Sequence, residues 1–172
     1  GRLHAFWLDK TEHYNWPFVV TQPADGVFRF ASEPAVADLN NDSHPEIIFT
    51  SWPEARDNLL GHLFILDYQG KVLHRIQLPP SWSTSPPDNW NGGLAAPTLA
   101  NIDGDADLEA VINTAHSGVV AYDLPGTANA HILWGTGRGS YLRNAAVPRP
   151  ASIPGSLTLS AKTASPTAVR SG

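Results

Sequence analysis

The chain has 172 residues, no cysteine, no methionine and a formal net charge of −5. Disulfides, thiol catalysis and thiolate metal sites are excluded, and the eleven scattered basic residues are too dispersed to hold nucleic-acid phosphates. Apolar residues are 42% and charged residues 16%, which suits one globular core, and no apolar run reaches the length of a membrane span.

Pro and Gly, 15 and 14 in number, punctuate the whole chain. No window carries a helical apolar stripe. The apolar runs are short, rich in Val, Ile, Leu, Phe and Trp, and bounded by Gly, Pro, Asn and Asp, which predicts an all-β chain of many short strands.

In chain order, residues 1–9 predict a strand, residues 10–15 a polar turn, and residues 16–20 a second short strand. Residues 21–27 form a turn around Pro23-Ala24-Asp25-Gly26. Strands follow at 34–38 and 46–52, then a charged loop at 53–60. Residues 61–67 carry a continuous apolar run, so both faces of that strand are expected to be buried. A Tyr68-Gln69-Gly70-Lys71 turn leads to a strand at 72–78, making a hairpin. A long Pro- and Trp-containing loop spans 79–93. Further strands are predicted at 97–101, 109–115, 118–123 and 131–134. Residues 147–172, rich in Pro, Ser, Thr and Ala, read as a linker or tail, with a candidate edge strand at 156–160.

Two acidic stretches organise this pattern. Asp38-Leu39-Asn40-Asn41-Asp42-Ser43-His44-Pro45-Glu46 and Asn101-Ile102-Asp103-Gly104-Asp105-Ala106-Asp107-Leu108-Glu109 each place oxygen-bearing side chains at positions 1, 3, 5 and 9. Each follows a proline and a short apolar run, and each leads into another. Pro34 aligns with Pro97, Asp42 with Asp105 and Glu46 with Glu109 in one frame. The repeat predicts two four-stranded units and half of a third, a plan that belongs to β-propellers.

Alternate oxygens in a tight loop converge on one point and suit a hard cation of irregular coordination such as calcium. His44 is the sole histidine in either loop, so zinc is a poor match. The closing Glu at position 9, between strands, separates these loops from an EF-hand. The plain alternative is that Asp, Asn and Gly simply solvate two turns.

These units resemble the FG-GAP or VCBS-type calcium-loop repeats of β-propellers, over residues 1–146. The resemblance implies two calcium sites. The first would use Asp38, Asn40, Asp42, the His44 carbonyl and Glu46, and the second Asn101, Asp103, Asp105, the Asp107 carbonyl and Glu109. The usual Gly at position 6 is Ser43 in one loop and Ala106 in the other, and the usual first Asp is Asn101 in the second. The resemblance further implies a secreted or cell-surface, bacterial structural or adhesive segment. Its partners would be other blades, copies of the same chain, glycans or a cell-surface protein. The chain begins at Gly1 without initiator or signal peptide, as a processed product or fragment would. A closed propeller has 4–8 blades, so two and a half would leave faces and edges to be met by the rest of a longer propeller or by further copies in a surface assembly or fibre, with residues 156–160 adding a strand to a neighbour.

Two alternatives accompany this reading. A carbohydrate-binding, lectin-like module would use Trp82 and Trp90 of the long loop. A segment of a polysaccharide-degrading enzyme is the other, although no catalytic set stands out and the expectation is no enzyme activity. Trp7, Trp16, Trp52 and Trp134 are expected in the core. The seven histidines show no metal-binding spacing.

Overall fold

The strands at Glu46–Pro53 and His62–Leu66 bury side chains on both faces, and that decides the architecture. The computed structural model describes residues 1–21, 26–54 and 58–145. The candidate edge strand at 156–160 lies outside the described residues. The described chain is all-β, with no helix among the described residues. Its strands are β1 (Arg2–Leu3), β2 (Phe18–Val19), β3 (Arg29–Ala31), β4 (Ala35–Asp38), β5 (Glu46–Pro53), β6 (His62–Leu66), β7 (Val72–Gln77), β8 (Thr98–Ala100), β9 (Leu108–Asn113), β10 (Val119–Leu124) and β11 (His131–Trp134).

The strands form three layers. A six-stranded sheet in the order β11-β4-β5-β6-β7, with β3 also on β5, lies in the middle. On one face Ala35, Ala37, Ile48, Leu63 and Ile65 pack against Leu99, Ala110, Ile112 and Leu124 of the three-stranded sheet β10-β9-β8. On the other face Phe49, Phe64 and Leu66 pack against Leu3, Trp16 and Val20 of the N-terminal segment that carries β1 and β2. Phe49 and Phe64 stack with ring centroids 5.0 Å apart. The continuous apolar run of β6 therefore buries both faces, as expected: Leu63 and Ile65 enter one core, Phe64 and Leu66 the other.

The two acidic loops sit in hairpins of one register. Ala35 pairs Ile48 and Ala37 pairs Glu46; 63 residues later Thr98 pairs Val111 and Ala100 pairs Glu109. The third strand follows the same plan. Phe49 pairs Phe64 and Thr50 pairs Leu63, while Ile112 pairs Val120 and Asn113 pairs Val119.

Two expectations are corrected, and one strand was not expected. Residues 1–9 do not form one strand; only Arg2–Leu3 is a strand, and a Phe6–Glu12 bridge closes a turn behind it. A strand at Arg29–Ala31 had no signal, because Phe30 and Ala31 follow a loop without alternation; it is held by pairing with the far end of β5. Most consequentially, β11 is not the fourth strand of the second unit. It pairs antiparallel with β4, His131 opposite Asp38, at the edge of the first. There it covers the buried edge of β4 and adds Ile132 to the core between the sheets, so an otherwise open edge is closed. Just beyond it, Gly135 O accepts the Leu99 N–H at 2.8 Å, so the same segment also caps β8. The second unit therefore has three strands, and the described sheets form no closed ring.

The long loop returns between the sheets through glycine. A Cβ on Gly92 would lie 2.3 Å from Trp52 Cβ, and one on Gly93 would lie 2.5 Å from Thr50 Oγ1. Asn91, fully buried, fixes this passage: its Nδ2 donates to Pro79 O and Ser117 Oγ, and its Oδ1 accepts the His116 N–H.

Candidate metal centre

Each acidic loop begins at the end of one strand and closes at the first residues of the next, so hairpin geometry fixes where its carboxylates stand. In both loops the closing Glu does the same thing. Glu46 Oε2 accepts the Leu39 N–H at 2.8 Å, and Glu109 Oε2 accepts the Ile102 N–H at 2.7 Å. Both glutamates are 4% exposed, a burial that costs a carboxylate dearly unless it is paired. Burial pushes the Glu46 carboxyl up, against the pull of the Leu39 N–H.

The first loop winds around its own oxygens. Asp38, itself buried, accepts the Asp42 N–H at 3.0 Å and the Ser43 N–H at 2.8 Å, one on each oxygen. Asn40 Oδ1 also accepts the Asp42 N–H. Asp42 Oδ1 accepts the His44 N–H at 2.8 Å, and its other oxygen accepts Asn40 Nδ2. The His44 amide, with smaller help from Asn40 and the His44 ring, holds the Asp42 carboxyl below the usual carboxylate range. Asn41 and Ser43 take left-handed backbones, φ 58° and 71°. Position 6 thus has the conformation for which glycine is the easy residue, and Ser43 adopts it at a cost. The His44 ring stacks on Tyr68 at 4.4 Å.

The second loop is less self-satisfied. Asp103 Oδ1 accepts the Asp105 N–H at 3.1 Å and Asp105 Oδ1 accepts the Asp107 N–H at 2.8 Å, repeating the first loop. Asn101 differs from Asp38: its Oδ1 is 3.4 Å from the Gly104 N–H, and its Nδ2 donates to Asp105 O. The left-handed residue is Gly104, φ 102°. Carboxylate oxygens of Asp103, Asp105 and Glu109 lie within 4.8 Å of one another. Glu109 Oε1 is buried and has no hydrogen-bond partner. Among the described residues this is the one cluster of three His, Asp or Glu groups that converges in this way. Asp38, Asp42 and Glu46 do not form its counterpart, and in the first loop the central position is the neutral Asn40.

This donor set fits a hard divalent cation. Three carboxylates supply oxygen only, and Glu109 adds a buried oxygen that no hydrogen bond occupies. Asp103, Asp105 and Glu109 would hold the ion, which would neutralise their mutual repulsion. The Asp107 side chain is otherwise engaged, with Oδ2 accepting the Gly126 N–H at 3.0 Å. Thr127 Oγ1 accepts the Leu108 N–H and donates to Leu124 O. These two anchors of the second loop, Gly126 and Thr127, have no signal in the loop's own spacing, because they come from the turn after β10.

The tryptophans divide differently from expectation. Trp82 is 76% exposed, while Trp90 is half-buried and meets His116 edge-on at 4.9 Å. Trp16 is core and its indole N–H donates to Tyr68 O. Trp52 and Trp134 are half-buried. Trp7 is not core: it is 47% exposed and packs on His13 and Tyr14, because the turn at 7–11 lifts it off the sheet.

No family model matches the chain, and neither the curated proteins nor the solved structures gave a significant match.

Proposed function

We propose that this chain is a calcium-stabilised segment of an extracellular β-propeller with a structural or adhesive role, in the manner of FG-GAP or VCBS-type repeats. The observation that carries the reading is the buried, partnerless Glu109 Oε1 beside Asp103 and Asp105. A cation there would give that buried oxygen a partner. In the second loop the ion would be held by Asn101, Asp103, Asp105, the Asp107 carbonyl and Glu109. The equivalent first loop would use Asp38, Asn40, Asp42, the His44 carbonyl and Glu46. The matched registers of the two hairpins put Glu46 and Glu109 in the same place, while the first loop's other carboxylates accept their own backbone amides, so the second loop carries the reading.

Calcium supplies no reaction here; it pins two strand-to-strand turns. At an extracellular-type affinity near ~0.1 mM and calcium near ~1 mM, each site contributes roughly 1.4 kcal/mol by mass action. At micromolar calcium that contribution vanishes, which argues for a secreted or cell-surface home. Thermal unfolding with ~1 mM calcium against excess chelator tests the reading. A calcium-dependent rise supports it; identical melting curves overturn it.

A glycan-binding surface is the second reading, favoured by the exposed indole of Trp82. Loss of glycan binding in Trp82→Ala would carry it.

A further inference from the structure

The two acidic-loop units stack in one direction, and that direction leaves a face uncovered. Offset by 63 residues on the first two strands and 56 on the third, Ala37 corresponds to Ala100, Ile48 to Val111, Leu63 to Val119 and Ile65 to Ala121. In the first unit these positions are the front face. All are at most 5% exposed, because the second unit covers them. The back faces correspond likewise. Phe49 and Phe64 of the first unit pack on the N-terminal layer, and their counterparts Ile112 and Val120 pack on the first unit.

Each layer thus presents its front to the back of the next. The front of the second unit has no successor among the described residues. Val119 is 68% exposed where its counterpart Leu63 is 1% exposed, and Ala121 is exposed where Ile65 is buried. Small apolar side chains on an open sheet face are what a further layer would cover.

The opposite end of the stack offers a surface for it. Leu3 and Phe18, a cross-strand pair of β1 and β2, face the six-stranded sheet. The neighbouring pair, Arg2 and Val19, therefore faces outward, and both are exposed. Val19 is 46% exposed. An apolar Val19 beside a cation matches a front face whose apolar Val119 and Ala121 are followed on the same strand face by exposed Asp123. Successive layers would then keep the front-to-back order that the chain already uses twice.

We infer that the front face of the second unit, Val111, Val119 and Ala121, docks the outward face of β1–β2 of a second copy of this chain, giving head-to-tail assembly. The inference names the partner of the scaffold proposed above and rests on that reading for its need of partners, but not on calcium. The contact is heterologous: the two surfaces differ, so it propagates as a ring or a filament.

Sedimentation velocity across the micromolar range, with calcium present, reads the assembly. The wild-type chain, 18.5 kDa as a monomer, should grow in mass with concentration. Ala121→Arg, which spoils one face, and Val19→Arg, which spoils the other, should each remain monomeric. Both sites are exposed, so the variants should melt as the wild type does, and circular dichroism checks this. An equimolar mixture of the two variants keeps one good face on each partner and should give species of twice the monomer mass and no larger. A wild-type chain that stays monomeric throughout, single variants that still assemble, or a mixture that stays monomeric would each overturn the proposal. The calcium reading is scored separately, by melting temperature.

Discussion

Glu109 and Ile102 are joined by a 2.7 Å hydrogen bond from the Ile102 N–H to Glu109 Oε2, and this bond holds the other carboxylate oxygen in a buried position without a partner. The hairpin needs the first oxygen, and the second is surplus to the fold. A side chain that keeps the first and removes the charge separates the two roles. Glu109→Gln should leave metal-free stability within about 1 kcal/mol of wild type, or raise it. It should also remove the second loop's share of the calcium stabilisation, roughly 1.4 kcal/mol. Calorimetry with and without calcium checks both halves.

Asp38 presents the opposite case. Both of its oxygens already accept backbone amides, from Asp42 and Ser43, and its carboxylate is buried. Asp38→Ala leaves the Ser43 amide without its acceptor and the Asp42 amide with Asn40 Oδ1 alone, and should lower stability by about 1–3 kcal/mol even in chelator. Urea unfolding in the absence of calcium measures it; a loss confined to calcium-containing buffer would contradict a folding role.

His62 makes stability depend on pH. Burial, and then the charges of Arg75 and Arg29, bring its pKa down from 6.5 to about 4. The folded state therefore keeps His62 neutral. Between these values the unfolded chain binds the extra proton, so its contribution is fully present above about pH 6.5 and is lost as pH falls toward about 4. Urea midpoints should fall over that window, and His62→Gln should flatten the decline. Parallel curves for the two proteins would refute the assignment.

Gly61 is fixed by space rather than by backbone conformation. A Cβ there would stand 2.0 Å from Ser51 O, a backbone atom that cannot swing away. Gly61 also donates its N–H to Asn91 O, so the strand cannot shift to make room. Gly61→Ala should cost about 3 kcal/mol or more. Gly118→Ala, where open space surrounds the added carbon but φ is 70°, should cost only about 1 kcal/mol. Matched denaturant curves of the two variants rank them.

What the sequence determined by itself is local. Short apolar runs between turn residues settle an all-β chain, and the continuous run at 62–66 settles a strand buried on both faces. The shared spacing of the two acidic loops places Glu46 and Glu109 at the same hairpin register, because loop length and strand alternation fix which residues can pair. Only the tertiary structure decided the rest. That β11 leaves its own unit to pair with β4 depends on an open edge many residues away, which no local pattern encodes. That Trp7 lies outside while Trp16 lies inside depends on where a turn lifts the chain from the sheet. The acidic loops look alike in sequence, yet the first saturates its oxygens with its own amides and the second leaves one buried oxygen bare. The physical reason is common to all three: spacing sets which groups can meet, while the burial and competition of neighbours set which of them do.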